Sequence, residues 1–361
     1  LLCASTVKGT LMNTVCEQSA LWTSGTGAYD TYRIPALVVT TAGTLLAFCE
    51  GRRNSRSDTG DIDMLVKRSE DGGQSWSNQQ VIWDDEGNTC GNPCPVVDRE
   101  TGNIWLLMTH NLGIDRESEI IDQTSQRSRT VWVTVSRDDG GTWSSPHEIT
   151  GTTKREDWTW YATGPGNGIQ LENGRLIIPC DHIESGTKLY YSHVIYSDDH
   201  GISWRLGGST RKDLVNECCL AELSNGTVML NMRNYDPKKR TRQIAMSTDG
   251  GITWSEQWHD DVLIEPICQA SLISWPGAPD HLLFSNPASR ESRSNMTVRY
   301  STNGGLTWAA TRALFTGPSA YSSLVALLDQ TICCLYECGE KNSYEQLMMA
   351  HFDIDWIKAT V

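Results

Sequence analysis

Phenylalanine is scarce in this 361-residue sequence, with 4 copies against 14 Trp and 11 Tyr. Basic residues are short too: 30 Lys and Arg face 44 Asp and Glu, a formal net charge of −14. That balance argues against nucleic acid or anionic membrane as a partner, since both require a basic surface. No uninterrupted apolar run approaches the ~18 residues of a bilayer span, so no membrane-spanning helix is expected. The 12 Cys are too few for a disulfide-built scaffold and more than most cytosolic proteins carry. Cys90 and Cys94 lie close together, but no second pair completes a zinc set, so neither a metal nor another cofactor is expected. Cys218-Cys219 and Cys333-Cys334 sit in apolar runs and read as buried thiols. The chain opens Leu1-Leu2-Cys3 rather than with Met, which suggests trimming or processing. Asn225-Gly-Thr and Asn295-Met-Thr are glycosylation sequons. Together these lean toward a secreted or lysosomal protein.

What the chain has in quantity is turn chemistry, with 31 Gly. One motif recurs five times: Ser69-x-Asp71-x-Gly73-x-Ser75-Trp76, and its counterparts ending in Trp143, Trp204, Trp254 and Trp308. The copies stand roughly 50–70 residues apart, as in a repeat architecture. The last has Asn303 in place of Asp. Each copy lies between strand-like runs, as in Thr130–Val135 before the second. Asp and Gly supply the turn and Trp a side chain to bury. We refer to these turns as Asp boxes. A second hairpin precedes each box, around Ala42-Gly43, Thr101-Gly102, Asn173-Gly174, Asn225-Gly226 and Pro276-Gly277, and a sixth is centred on Leu328-Asp329.

Six units of strand, turn, strand, loop, strand, box, strand predict an all-β fold, a six-bladed β-propeller. The sixth unit ends at 346–352 without a box, and an N-terminal strand near 19–22 is expected to complete it. A β-sandwich is the alternative architecture, but it does not account for six matched units. The expected organisation is one domain over 1–361, with no residues left for an appended lectin domain.

The connectivity separates two ends of the strands. Box turns and first hairpin turns fall at one end. First-strand starts, second-strand ends and the following loops fall at the other. That second end collects Arg33, Asn92, Asn216-Glu217 and Tyr321 from strand starts. It collects Glu50, Arg52, His110, Asp181-His182, Arg233, Arg290 and Glu337 from strand ends, and Asp58 and Arg293 from loops. Arginines gathered on one rim of an acidic protein predict an anion site, since guanidinium groups grip carboxylates bidentately. The boxes, in this reading, are structural.

With Tyr32-Arg-Ile-Pro35, five boxes, Asn231-Met-Arg233, Arg293-x-Asn-x-Thr-x-Arg299, Ala320-Tyr-Ser-Ser-Leu324 and Tyr336-Glu337, the chain resembles the exo-α-sialidases (neuraminidases) of the bacterial and animal type. The resemblance runs over essentially the whole chain. It implies a triad of Arg33, Arg233 and Arg293 on the substrate carboxylate, with Arg290 a competitor for the third place. It implies Tyr321 as nucleophile, Glu217 as its carboxylate partner and Asp58 as acid/base. Glu337 would orient Arg33, and Arg52 and Asn92 would meet the sugar ring. The implied partners are sialylated glycans on glycoproteins, glycolipids or oligosaccharides.

These residue types suit the chemistry. Sialic acid carries a carboxylate on its anomeric carbon, which repels a carboxylate nucleophile but not a neutral phenol. Glu217 can take the phenol proton, giving a retaining reaction through a tyrosyl intermediate. Transfer to another sugar, preference for the deaminated sugar KDN, and a non-catalytic sialic-acid-binding propeller are the alternatives. His110 and His182 lack a metal-ligand pattern and read as polar lining. Trp158-Thr-Trp160-Tyr161 reads either as a wall for the sugar's acyl group or as strand packing.

Overall fold

A computed structural model describes residues 15–359; Leu1-Leu2-Cys3 lies outside them. The fold is all-β, with 51% strand and 4% helix. β1 (Glu17–Thr23) is followed by β2 (Thr31–Val39), β3 (Leu45–Arg52), β4 (Ile62–Ser69) and β5 (Gln80–Trp83). Next come β6 (Thr89–Val97), β7 (Ile104–Asn111), helix α1 (Glu117–Ile121), β8 (Thr130–Ser136), β9 (His147–Glu148) and helix α2 (Thr150–Thr153). Then β10 (Trp158–Thr163), β11 (Ile169–Gln170), β12 (Leu176–Glu184), β13 (Tyr190–Ser197) and β14 (Arg205–Ser209). β15 (Val215–Glu222), β16 (Val228–Asn234), β17 (Thr241–Ser247) and β18 (Trp258–Ile264) form a four-stranded sheet in chain order. The chain finishes with β19 (Ser271–Trp275), β20 (Ala278–Pro287), β21 (Ser294–Ser301), β22 (Ala310–Ala326), β23 (Ile332–Cys338), β24 (Gln346–Phe352) and helix α3 (Ile354–Lys358).

Strands pair with their sequence neighbours as antiparallel meanders. β2–β5 and β6–β9 are two such meanders, joined by one parallel contact, Ile62 with Thr89. β1 pairs antiparallel with β24, from Glu17 opposite His351 to Thr23 opposite Gln346. This covers what would otherwise be a free sheet edge.

Three details depart from regular four-strand units. The first strand of the third unit is split: β10 and β11 both pair β12, with Gly164-Pro165-Gly166 between them. The fourth strand of the second unit is only two residues, β9. β22 is one 17-residue strand whose first half pairs β21 and second half β23, so two units run together.

The core lies between adjacent meanders. Val96, Leu107 and Val133 pack against Tyr161, Ile178 and Ile195 of the next meander. Inner strands are buried on both faces and therefore read as unbroken apolar runs; Leu45, Leu46, Ala47 and Phe48 are all 0% exposed. Buried thiols serve as small apolar groups: of eleven described cysteines, all free, only Cys16 is not buried.

Each box closes on the side chain at its third position, Asp in four copies and Asn303 in the last. Ser69 Oγ donates to Asp71 Oδ1 at 2.7 Å and accepts the Gly73 N–H at 2.7 Å. Asp71 then takes the Ser75 N–H at 2.9 Å and the Ser75 hydroxyl at 2.5 Å. Asn303 keeps the same turn, with Oδ1 accepting the Thr307 N–H and Nδ2 donating to Thr307 Oγ1, both at 2.9 Å. The tryptophans differ in depth. Trp204 and Trp254 are 1% and 3% exposed, whereas Trp76, Trp143 and Trp308 are only half-buried. Gly201 has φ +86° and an added Cβ would sit 2.1 Å from Trp105, so the third box docks on the preceding meander only with glycine there.

Candidate active site

A pocket opens at the end of the strands opposite the boxes, and no box residue lines it. Its lining comes from first-strand starts, second-strand ends and the loops after them.

Arg33 enters from a bulge in β2, where the register shifts between Arg33 and Ala36. Ile34 has φ +61°, a costly conformation for a β-branched residue. It is held by Glu337, which is 0% exposed. Glu337 accepts the Ile34 N–H at 3.0 Å, Arg33 Nε at 3.0 Å and Arg33 Nη2 at 3.4 Å. It also accepts the Tyr321 N–H at 3.1 Å. One buried carboxylate with four donors thus fixes the direction of Arg33 and the backbone of Tyr321.

Tyr321 is 6% exposed and donates its hydroxyl to Glu217 Oε1. Arg233 Nη1 bonds Glu217 Oε2 and lies 3.2 Å from the Tyr321 oxygen, while its Nη2 donates to Tyr235 Oη at 2.8 Å. Burial first, then the charge of Glu217, push the phenol pKa well above its usual value, against the pull of Arg233, Arg293 and Arg33. At rest the phenol is therefore protonated and aimed at a carboxylate. Arg293 donates to Tyr344 Oη at 2.9 Å and to the Ile267 carbonyl at 3.2 Å. Its guanidinium carbon is 5.5 Å from the Tyr321 ring centre, and that of Arg33 is 5.1 Å. Arg290 is exposed and outside the lining.

Asp58, in the loop after β3, takes Arg52 Nη1 at 2.8 Å and Arg33 Nη1 at 3.1 Å. Its side chain is 60% exposed. Partial burial acts to raise its pKa, but Arg52 and Arg33 outweigh it and hold the carboxyl below the usual range. Arg52 is braced by Glu50, whose other oxygen takes the Asn92 N–H at 2.8 Å. Asn92 has φ +55° and its Oδ1 accepts from Thr109 at 2.9 Å and from Arg129.

Eight residues named from the sequence, Arg33, Arg52, Asp58, Asn92, Glu217, Arg233, Arg293 and Tyr321, line one pocket, and Glu337 stands directly behind it. Trp160 lines it as well, with Arg129 4.1 Å over its ring, while Trp158 and Tyr161 pack inward, Trp158 stacked 3.5 Å from His182. Within that segment, then, Trp160 faces the pocket and its neighbours Trp158 and Tyr161 are strand packing. His182 pairs with His193 at 3.0 Å and His110 with Asp85 at 2.8 Å; neither lines the pocket, so neither is rim lining. No metal-holding cluster occurs among the described residues.

Arg129, Tyr235 and Glu117 also line the pocket and were not singled out from the sequence. Arg129 immediately precedes β8, so extending the rim rule to third-strand starts would have found it. Tyr235 follows Arg233 by two positions, the alternation that keeps both on one face. Glu117 sits in α1, inside a long insertion that carries no recognisable motif.

A family model described as BNR repeat-like domain matches residues 43–333. A sialidase of Bacteroides fragilis is 34% identical over 85% of this chain and 60% of its own length, so the chain spans less than two thirds of that relative. An exo-alpha-sialidase of Aspergillus fumigatus is 31% identical over 91% of this chain and 85% of its own length. The solved structure of "Hadza microbial sialidase Hz136" aligns with a TM-score of 0.86 at 31% identity, covering 94% of this chain and 69% of that one. These matches run through the stretch that carries both the boxes and the pocket, and on them the chain belongs to the sialidase family.

Proposed function

We propose that this protein is a retaining exo-α-sialidase that removes terminal sialic acid from glycoconjugates, built as a single catalytic six-bladed propeller in which β1 completes the last blade. The observation that carries the reading is the Tyr321 hydroxyl donating to Glu217, with Arg233 bonded to both. A lectin needs the arginines but has no use for a phenol aimed at a buried carboxylate.

In the proposed reaction the sugar carboxylate lies among Arg33, Arg233 and Arg293. Tyr321 Oη attacks the anomeric carbon as its proton passes to Glu217, and the glycosidic bond breaks with Asp58 protonating the departing oxygen. Asp58 then takes a proton from water, the water oxygen attacks the anomeric carbon, and Tyr321 leaves, recovering its proton from Glu217. Two inversions give net retention. Asp58 must be protonated to act first, yet Arg33 and Arg52 favour its ionised form. A substrate carboxylate bound by Arg33 offsets one of those charges, so binding itself raises the Asp58 pKa toward the acid role.

The test is hydrolysis of a fluorogenic sialoside beside the matching KDN glycoside, with the first product anomer read by NMR. Release of the α-anomer of sialic acid is expected. Release of the β-anomer first, or no turnover of either glycoside, overturns the reading.

A further inference from the structure

Asp181 sits on the pocket wall in β12, opposite Ala162 of β10 and Ser192 of β13. It is 1% exposed, and its Oδ2 is buried with no hydrogen-bond partner. The neighbouring carboxylates are treated differently: Glu50, Glu217 and Glu337 each accept two or more donors. The titratable groups around Asp181 are Cys180 beside it on β12, Glu217 and Cys218 on β15, Arg233 and Tyr235 on or just after β16, Arg129 before β8, and Glu117 on α1, with the phenols of Tyr161 on β10 and Tyr190 on β13. None of them bonds it. An ionised carboxylate buried without donors is far more costly than a neutral acid. Burial, and next the charge of Glu217, raise the Asp181 pKa well above the carboxylate range, against Arg233 and Arg129. A carboxylic acid kept neutral in this way is a hydrogen-bond donor in search of an acceptor.

We infer that Asp181 is a specificity-determining residue which engages the bound sugar as a neutral hydrogen-bond donor, to an oxygen on the part of the ring remote from the sugar's own carboxylate. Arg33 and Arg293 lie over the Tyr321 ring and Arg233 lies 3.2 Å from its oxygen, whereas Asp181 enters the same lining from β12, paired with Ala162 of β10. A sugar anchored by its carboxylate therefore turns its hydroxyl and acylamino oxygens toward that wall. The proton also spares Glu217 a second negative charge at its side, which would compete for Arg233. This inference rests on the proposed sialoside hydrolysis.

The test compares Asp181→Asn, which keeps a neutral donor of the same shape, with Asp181→Ala. At pH 7 Asp181→Asn should retain kcat/KM within about threefold, and Asp181→Ala should lose about tenfold, chiefly in KM, the worth of one neutral hydrogen bond. Sialosides lacking single hydroxyl or acyl oxygens identify the acceptor: one analogue should lose about tenfold on the wild type and nothing further on Asp181→Ala. Infrared spectra of the wild type at pH 7 should contain a protonated-carboxyl band that Asp181→Asn lacks. If Asp181→Asn does not fold, Asp181→Ser carries the same comparisons. A folded Asp181→Asn reduced more than a hundredfold, an unchanged Asp181→Ala, or no protonated-carboxyl band overturns the inference while leaving the proposed function standing. A wild type that hydrolyses no sialoside overturns both.

Discussion

Arg33 and Glu337 lie 304 positions apart in sequence and meet in a buried ion pair at 3.0 Å. The same carboxylate receives the backbone N–H of Tyr321 at 3.1 Å, so an arginine from one end of the chain and a tyrosine from the other share one anchor. Glu337→Ala removes it and leaves Arg33 buried with only Asp58 at the mouth as partner. We expect a loss of about 3 kcal/mol in stability and a fall in both kcat and the affinity for substrate. Denaturant midpoints with steady-state kinetics check this; unchanged kinetics would show that Arg33 needs no such brace.

Arg233→Ala and Arg293→Ala should each raise KM and lower kcat, because a charge-assisted bond to a carboxylate is worth about 1.5–3 kcal/mol, or roughly 10- to 150-fold. Arg290→Ala, exposed and outside the pocket, should match the wild type. A large effect at Arg290 with none at Arg293 would reverse the assignment of the third arginine.

Tyr321→Phe removes one oxygen and keeps the ring, so the melting temperature should barely move. Its kcat should drop by about a thousandfold or more, as for loss of other enzymatic nucleophiles. Residual turnover by direct attack of water from the vacated side would release the inverted anomer first. Mass spectrometry of wild-type protein trapped with a 3-fluoro sialosyl fluoride should find the label on Tyr321. Label on Glu217, or full activity in Tyr321→Phe, defeats the mechanism.

Asp58→Ala should slow a natural sialoside by about 10²–10⁴-fold and an activated aryl sialoside much less, since a good leaving group needs no proton. Equal losses on the two substrates would mean that Asp58 does not act as the acid.

The boxes should govern stability alone. Trp204 is 1% exposed and meets Trp105 edge-on at 6.4 Å. Trp204→Ala should cost ~3–5 kcal/mol, and Trp143→Ala less, because Trp143 is only half-buried against Phe48. Both variants, where folded, should keep the wild-type KM. A raised KM at an unchanged melting temperature would contradict the separation of the two strand ends.

The sequence by itself determined the repeat, the all-β class and which strand ends share a rim. The reason is locality. A box is closed by hydrogen bonds within five residues, such as Asp71 to Ser75, and hairpin turns and apolar runs are equally short-range signals. Short motifs also led to most of the residues that meet in the pocket. What they could not carry is anything that depends on how distant strands pack. The joining of two units through β22 and the depth of Trp204 against the shallowness of Trp143 both follow from tertiary packing. So does the entry of Glu117 into the pocket. Asp181 is the sharpest case: in sequence it is one more acidic residue at a strand end. Only the packing of β12 against β15 removes its water, supplies no donor in exchange and sets Glu217 nearby, and those conditions together decide whether that carboxyl carries a charge or a proton.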